Sequence, residues 1–239
     1  MTRRTVHNRP SMITRRKAVG LLGAAGCAWS AAFPAPASAA ARCVVRPAQT
    51  EGPYFVDRML ERADLRIDPA DGSISPGTPL VLVLAVSRVS ADACAPLAGA
   101  QVDLWHCDHR GIYSGVRDPA LDTTGQRFLR GYQITNAAGE ARFTTIYPGW
   151  YPGRAVHIHF KVRTAAVAGK SREFTSQLYF DDAQNERVHA GGPYASRGAG
   201  RRSNASDRIF LRGGNQLMLA LEPQDGVLTG RFELALDGD

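Results

Sequence analysis

From Leu80 to Val89 the chain is almost continuously apolar, with Val81, Val83, Val86 and Val89 set among leucines. Such a run predicts a strand buried on both faces. Ala100–His106 instead alternates, with Val102 and Leu104 on one face. Arg142–Ile146, Ala155–Val162, Phe174–Phe180, Gln216–Leu221 and Leu228–Leu236 read as further strands. Glycine and proline punctuate the intervals, as in Pro76-Gly77, Pro148-Gly149, Pro152-Gly153 and Gly213-Gly214. No segment sustains an apolar period of 3.6 residues, and Arg58–Arg66 predicts no more than a short helical turn. The pattern points to an all-β chain: one β-sandwich domain over residues 40–239, with short or no helices.

Charge adds a boundary. The formal net charge is +7. Residues 1–39 hold Arg3, Arg4, Arg9, Arg15, Arg16 and Lys17 and no acid. Without those six, 23 cations face 22 acids, so the remainder carries no basic footprint for nucleic acid. After Lys17 comes a weakly apolar run to Trp29, then Pro34-Ala35-Pro36 and the small residues Ala37-Ser38-Ala39. This order predicts an export signal over 1–39, with an apolar run too short for a stable membrane span. Thr14-Arg15-Arg16-Lys17 resembles a twin-arginine signal, with Ala18 where phenylalanine is common. An ordinary secretory signal, and a lipoprotein site at Cys27, are the alternatives. Past the signal stand Cys43, Cys94 and Cys107. Three thiols allow one internal disulfide. Cys43 and Cys94, in turn-like sequence flanking a strand, are the expected pair, and Cys107 is expected as a small buried apolar residue.

Several chemistries lack their residues: there is no Gly-x-Ser-x-Gly, no phosphate loop, no Cys-x-x-Cys and no His-Glu-x-x-His. What remains is His157-Ile158-His159. On a strand the two imidazoles share a face, while Val156, Ile158, Phe160 and Val162 fill the other. Tyr151 stands just upstream between two Pro-Gly turns, and Tyr113 follows Trp105-His106-Cys107-Asp108 and Gly111-Ile112. A phenol becomes a useful ligand only when a strongly charged cation removes its proton. Phenolate is then a hard anionic donor that favours Fe(III). Two phenolates and a hydroxide would balance a +3 charge, and two neutral imidazoles would complete five ligands. His106, His109 and His189 are spare, and are expected at the surface or behind the ligands.

Together these segments resemble the intradiol ring-cleavage dioxygenases, especially the catalytic sandwich of the protocatechuate 3,4-dioxygenase type. The similarity runs from about Gln49-Thr50-Glu51-Gly52-Pro53-Tyr54 to the C-terminus. It is carried by Gly99–Trp105, Gly111-Ile112-Tyr113, Pro148-Gly149-Trp150-Tyr151 and Arg154–Phe160. The helical dimerisation region of catechol 1,2-dioxygenases has no counterpart. The resemblance implies a β-sandwich of the intradiol dioxygenase catalytic type. It implies one non-haem Fe(III) per chain, held by Tyr113, Tyr151, His157 and His159, with Tyr151 and His159 axial. It implies Arg154 and Gln177 as active-site residues, Tyr151 as a base that leaves the metal, and Tyr54 and Arg154 at the substrate. The reactants would be a small aromatic diol and O2. The interval from Tyr151 to His157 is shorter than in the protocatechuate enzymes, so the pocket is expected to differ and the particular diol is not implied. A homo-oligomer stays open. The rival readings are a secreted transthyretin-like binding sandwich without catalysis, and a zinc site.

Overall fold

Two large sheets and one two-stranded ribbon form, and the facing sides of the large sheets are apolar. The structure is a computed structural model that describes residues 43–57, 60–90, 93–118, 121–165, 171–198 and 200–237. The expected export signal lies outside the described residues. The strands are β1 (Pro79–Ser90), β2 (Ala93–Pro96), β3 (Gln101–Trp105), β4 (Arg117–Asp118), β5 (Leu121–Asp122), β6 (Arg130–Ile134), β7 (Glu140–Ile146), β8 (His157–Arg163), β9 (Glu173–Tyr179), β10 (Leu221–Gln224) and β11 (Val227–Asp237). In the first sheet the order is β10-β11-β1-β2, with β7 also on β1. The length of β1 explains this branching. Its residues 79–85 pair with β7 and its last four with β2 along one edge, while β11 lies parallel on the other. The second sheet is antiparallel, in the order β6-β3-β8-β9.

Alternation sorts the side chains. Leu80, Leu82, Leu84, Val86, Phe143, Phe232 and Leu234 turn inward from the first sheet. Val102, Leu104, Ile158, Phe160, Val162 and Leu178 meet them from the second. Burying one such side chain contributes about 1.5–3 kcal/mol. The strand expected to be buried on both faces is buried on one: Val81, Val83 and Ala85 stay partly exposed, because no layer covers that side of β1 fully.

Three further expectations change. Residues 60–66 make no helical turn. They run extended, with Glu61 bridging Tyr132 and Asp64 bridging Thr144, because sheet edges supply partners that a helix would forgo. Gln216–Leu221 is not one strand; Gly214–Gln216 form a 3-10 turn, Met218 makes an isolated bridge to Tyr179, and β10 begins at Leu221. A helix, α1 (Asp182–His189), was not legible, since its buried residues are the polar Asn185 and His189. Its start is encoded locally: Asp181 accepts from the backbone N–H groups of Ala183 and Gln184. No described helix is long and apolar enough to cross a membrane.

Residues 43–46 run beside β11 of the first sheet, where Val45 bridges Ala235, and the chain then passes over the second sheet, with Gly52 against His159. Cys43 is disulfide-bonded to Cys94, and Cys107 is a buried free thiol, both as expected. Farther along, Arg46 Nε donates to the Glu233 carbonyl at 2.9 Å, and Gln49 N to that of Thr175 at 3.0 Å.

His106, expected at the surface or behind the ligands, is buried. Its Nδ1 lies 2.8 Å from the Cys107 carbonyl and its Nε2 2.7 Å from Thr145 Oγ1.

Two outcomes are expected. A Cys43→Ser, Cys94→Ser double variant should lose about 4 kcal/mol of stability in urea unfolding, the loop-closure value for a separation of 51 residues. Burial pushes the His106 pKa down to about 4. An unfolded chain takes up this proton at ~6.5, so keeping the ring neutral costs nothing above that pH and destabilises progressively as pH falls towards 4. The penalty is on the order of 3 kcal/mol. His106→Gln should therefore flatten the loss of stability between about pH 7 and about pH 4, measured by urea unfolding at each pH.

Candidate metal centre

The candidate residues sit on the outer face of the second sheet, not between the sheets. Because Ile158 and Phe160 point into the core, His157 and His159 must point out. Register builds a row across the strands: Trp105 opposes His159, and His159 opposes Gln177. His157 opposes Tyr179. The Trp105 ring stacks on His159 at 5.0 Å with 7° between planes, which fixes that imidazole. From above, Gly52, with φ +73°, brings backbone against the same ring; a Cβ there would stand 3.4 Å from Cε1.

The tyrosines arrive on loops that touch. Asp108 ties one loop together, its Oδ1 accepting from the N–H groups of Arg110 and Ile112. Gly149 N donates to the Asp108 carbonyl at 3.1 Å. Neither Gly111 nor Gly149 leaves room for a Cβ: the first would strike the Trp150 carbonyl, the second those of Asp108 and His109. Gly111 also has φ +86°, which favours glycine. The two loops thereby bring the Tyr113 and Tyr151 ring centroids to 5.7 Å. Tyr54 stacks on Tyr113 at 4.5 Å.

Four groups converge on one nitrogen. His157 Nε2 is 3.5 Å from Tyr113 Oη, 3.2 Å from Tyr151 Oη, 3.0 Å from His159 Nε2 and 3.3 Å from an Arg154 Nη1. His157 Nδ1 lies 2.6 Å from the Ala155 carbonyl, which can only accept. The proton is therefore on Nδ1, and Nε2 presents a lone pair. Burial pushes the His157 pKa down to about 3 and that of His159 well down, so both rings are neutral near pH 7. Burial also pushes Tyr151 up to about 12, and Tyr113 well above its usual range. Two neutral imidazole lone pairs and two phenols, gathered out of water, suit a small, highly charged cation, which would favour the phenolates. His159 Nδ1 is buried without a hydrogen-bond partner, and that ring is oriented by its stacking on Trp105 and its contact with His157.

Arg154 is held by its fork. Its Nε donates to Asp207 Oδ2 at 3.0 Å and an Nη2 to Gln177 Oε1 at 2.5 Å, leaving Nη1 facing Tyr151 and His157. Burial works against its charge, but Tyr151 and Asp207 more than offset that, and its pKa is raised. Gln177 is fully buried and engaged at both ends, with its amide nitrogen donating to the Thr50 carbonyl at 2.8 Å. Its oxygen also accepts from Tyr179, whose hydroxyl reaches Gln49. Gln177 thus meets Arg154 rather than the imidazole pair.

Sequence reasoning missed Asp207, which also caps the Ala155 N–H at 2.8 Å, because it lies in a loop 53 residues beyond Arg154 with no pattern to mark it. Trp105 and Tyr179 could have been found from strand register. His109 and His189 pack around Tyr194, and His189 Nε2 reaches the Pro148 carbonyl at 3.0 Å; both lie behind the tyrosine loops.

A cavity of about 390 Å3 opens beside the phenols, lined by Tyr54, Tyr113 and Tyr151 among others. It therefore approaches the cluster from the phenol side.

Comparison with known proteins agrees with this geometry. The family model described as "Dioxygenase" matches residues 50–188, which include all seven residues singled out from sequence. A chlorocatechol 1,2-dioxygenase of Pseudomonas sp. (strain P51) is 32% identical over 151 residues, 57% of this chain and 55% of that protein. The chain thus spans about half the length of the curated relatives it matches. Among solved structures, an intradiol ring-cleavage dioxygenase from Tetranychus urticae is 31% identical, with a TM-score of 0.68 over 82% of this chain and 95% of that one. The dioxygenase domain of a dioxygenase–carbohydrate-binding fusion from Streptomyces sp. SirexAA-E is also 31% identical, with a TM-score of 0.56 over 82% and 100%. The transthyretin-like alternative is not favoured. The chain belongs to the intradiol ring-cleavage dioxygenase family.

Proposed function

We propose that this chain is a non-haem Fe(III) dioxygenase that opens a catechol-type ring between its two oxygenated carbons, using O2. The observation that carries the reading is the convergence of Tyr113, Tyr151 and His159 on His157 Nε2 at the end of a cavity large enough for a small aromatic. Curated relatives named for catechol and chlorocatechol dioxygenation support the substrate class. Tyr113, Tyr151, His157 and His159 would hold the metal, one ion per chain. When bound, Fe(III) would supply the Lewis acidity and electron acceptance that make an electron-rich diol reactive towards O2.

The side chains of this protein supply the rest. Tyr54 and Tyr113 offer stacked aromatic surface along the cavity against which a flat ring can lie. Tyr151 is the phenol placed to take a proton from an entering diol. It lines the cavity, and a pKa pushed to about 12 makes its oxygen a strong base once it is free. Arg154 presents a fixed cation to anionic charge developing on the ring, its fork set beforehand by Asp207 and Gln177. The layered rings of Trp105, Phe55 and Tyr54 limit water around the imidazoles.

Export also belongs to this reading. The order of cations, apolar run and small residues over 1–39 supports a periplasmic or extracellular enzyme, and so does the Cys43–Cys94 disulfide, a bond that persists in oxidising compartments.

Two measurements test the proposal. Iron-loaded protein should contain one iron per chain and show a visible phenolate-to-iron band, whereas zinc-loaded protein should be colourless. Tyr113→Phe and His159→Ala should each lose the band and most of the iron; retention of colour in both variants would remove the ligand assignment. In Arg154→Gln, kcat for catechol should fall on the order of a hundredfold while iron content stays near one per chain. Unchanged kcat would deny Arg154 its electrostatic role.

A further inference from the structure

Arg130 carries a charge to the edge of the imidazole row. It begins β6 and pairs with Trp105, so it extends the row of Trp105, His159 and Gln177 across the outer face of the second sheet. Only 4% of it is exposed. A guanidinium removed from water must keep its donors satisfied, because an unmet donor there costs more than the bond itself contributes.

Its donors go to the backbone that carries two of the tyrosines. Nη1 donates to the Tyr54 carbonyl at 3.2 Å, Nε to Ser114 Oγ at 3.0 Å, and Nη2 to the Ser114 carbonyl. Ser114 is buried in turn, and its hydroxyl donates to the Phe128 carbonyl at 2.5 Å. Thr123 Oγ1 donates to the carbonyl of Tyr113 at 2.7 Å. Two successive carbonyls of the Tyr113 loop are thereby held, one by Thr123 and the next by Arg130. The same guanidinium holds the backbone of Tyr54, 59 residues earlier in the chain than Tyr113. The rings above these anchors stack with centroids 4.5 Å apart and 21° between planes, and Tyr113 Oη stands 3.5 Å from His157 Nε2.

We infer that Arg130 is a positioning residue, which through the backbones of Tyr54 and Ser114 sets the Tyr54–Tyr113 stack and aims the Tyr113 phenol at the imidazole pair. The rigid, planar fork is what the task needs, since it fixes the distance and angle between the two backbones it bonds. A lysine would keep the charge but reach with one nitrogen. The inference rests on the ferric reading for what the Tyr113 phenol does, but the posture of the two rings is measurable without metal.

The test is fluorine NMR of the full, metal-free chain labelled with fluorotyrosine, its resonances assigned by tyrosine-to-phenylalanine variants. Arg130→Gln should displace the Tyr54 and Tyr113 resonances and leave those of Tyr147 and Tyr194 in place. Iron affinity, measured by competition with a chelator, should fall about 10–100-fold in the same variant. Arg130→Lys should restore little of either. Unmoved Tyr54 and Tyr113 resonances, equal displacement of all the tyrosines, undiminished iron affinity or full rescue by lysine would overturn the inference. If Arg130→Gln does not fold, Arg130→Lys decides: displaced Tyr54 and Tyr113 resonances support the inference, and unaltered ones overturn it. If the unaltered chain takes up no iron, the ferric reading alone fails, and the resonances still decide whether Arg130 sets the rings.

Discussion

The structure depends on which way one strand faces. In β8, Ile158, Phe160 and Val162 are fully buried between the sheets, and that burial fixes His157 and His159 on the opposite side. A slip of one residue would bury the imidazoles in the core and expose three large apolar side chains, at a cost of several kcal/mol. Packing energy thus sets the direction of two groups that themselves contribute little to packing. The same register brings Trp105 and Gln177 to either side of His159.

Burial has a chemical consequence at the site. Removed from water, each titratable group there favours its neutral form: the imidazoles lose affinity for protons and the phenols hold theirs more tightly. The cluster is consequently poised to change protonation state only when a strong positive charge arrives. Arg154 is the exception, kept charged because Asp207, itself buried, accepts both from it and from the backbone of Ala155. The tyrosine loops obey a different constraint, contact so close that glycine is required at Gly111 and Gly149.

How much of this was legible in the sequence follows from the range of each signal. Strand patterns, whether alternating or continuously apolar, are local, so β1, β3, β7, β8, β9 and β11 could be read directly, and with them the shared face of the histidines. The resemblance then named the tyrosines. Short or polar elements gave no such signal: β6 contains Arg130, Gly131 and Gln133, and α1 buries only polar residues. The extended path of residues 60–66 depends on sheet edges distant in sequence, and local propensity cannot report those. Asp207 was invisible for the same reason, because its role arises from a loop that meets Arg154 only after folding.

The central claim is that Tyr113, Tyr151, His157 and His159 share a single ferric ion. Anomalous diffraction at the iron edge, from crystals of iron-loaded protein, tests it most directly. The account predicts one strong peak per chain, within bonding distance of all four side chains. A peak elsewhere, or iron contacting the imidazoles with both phenols turned away, would contradict it.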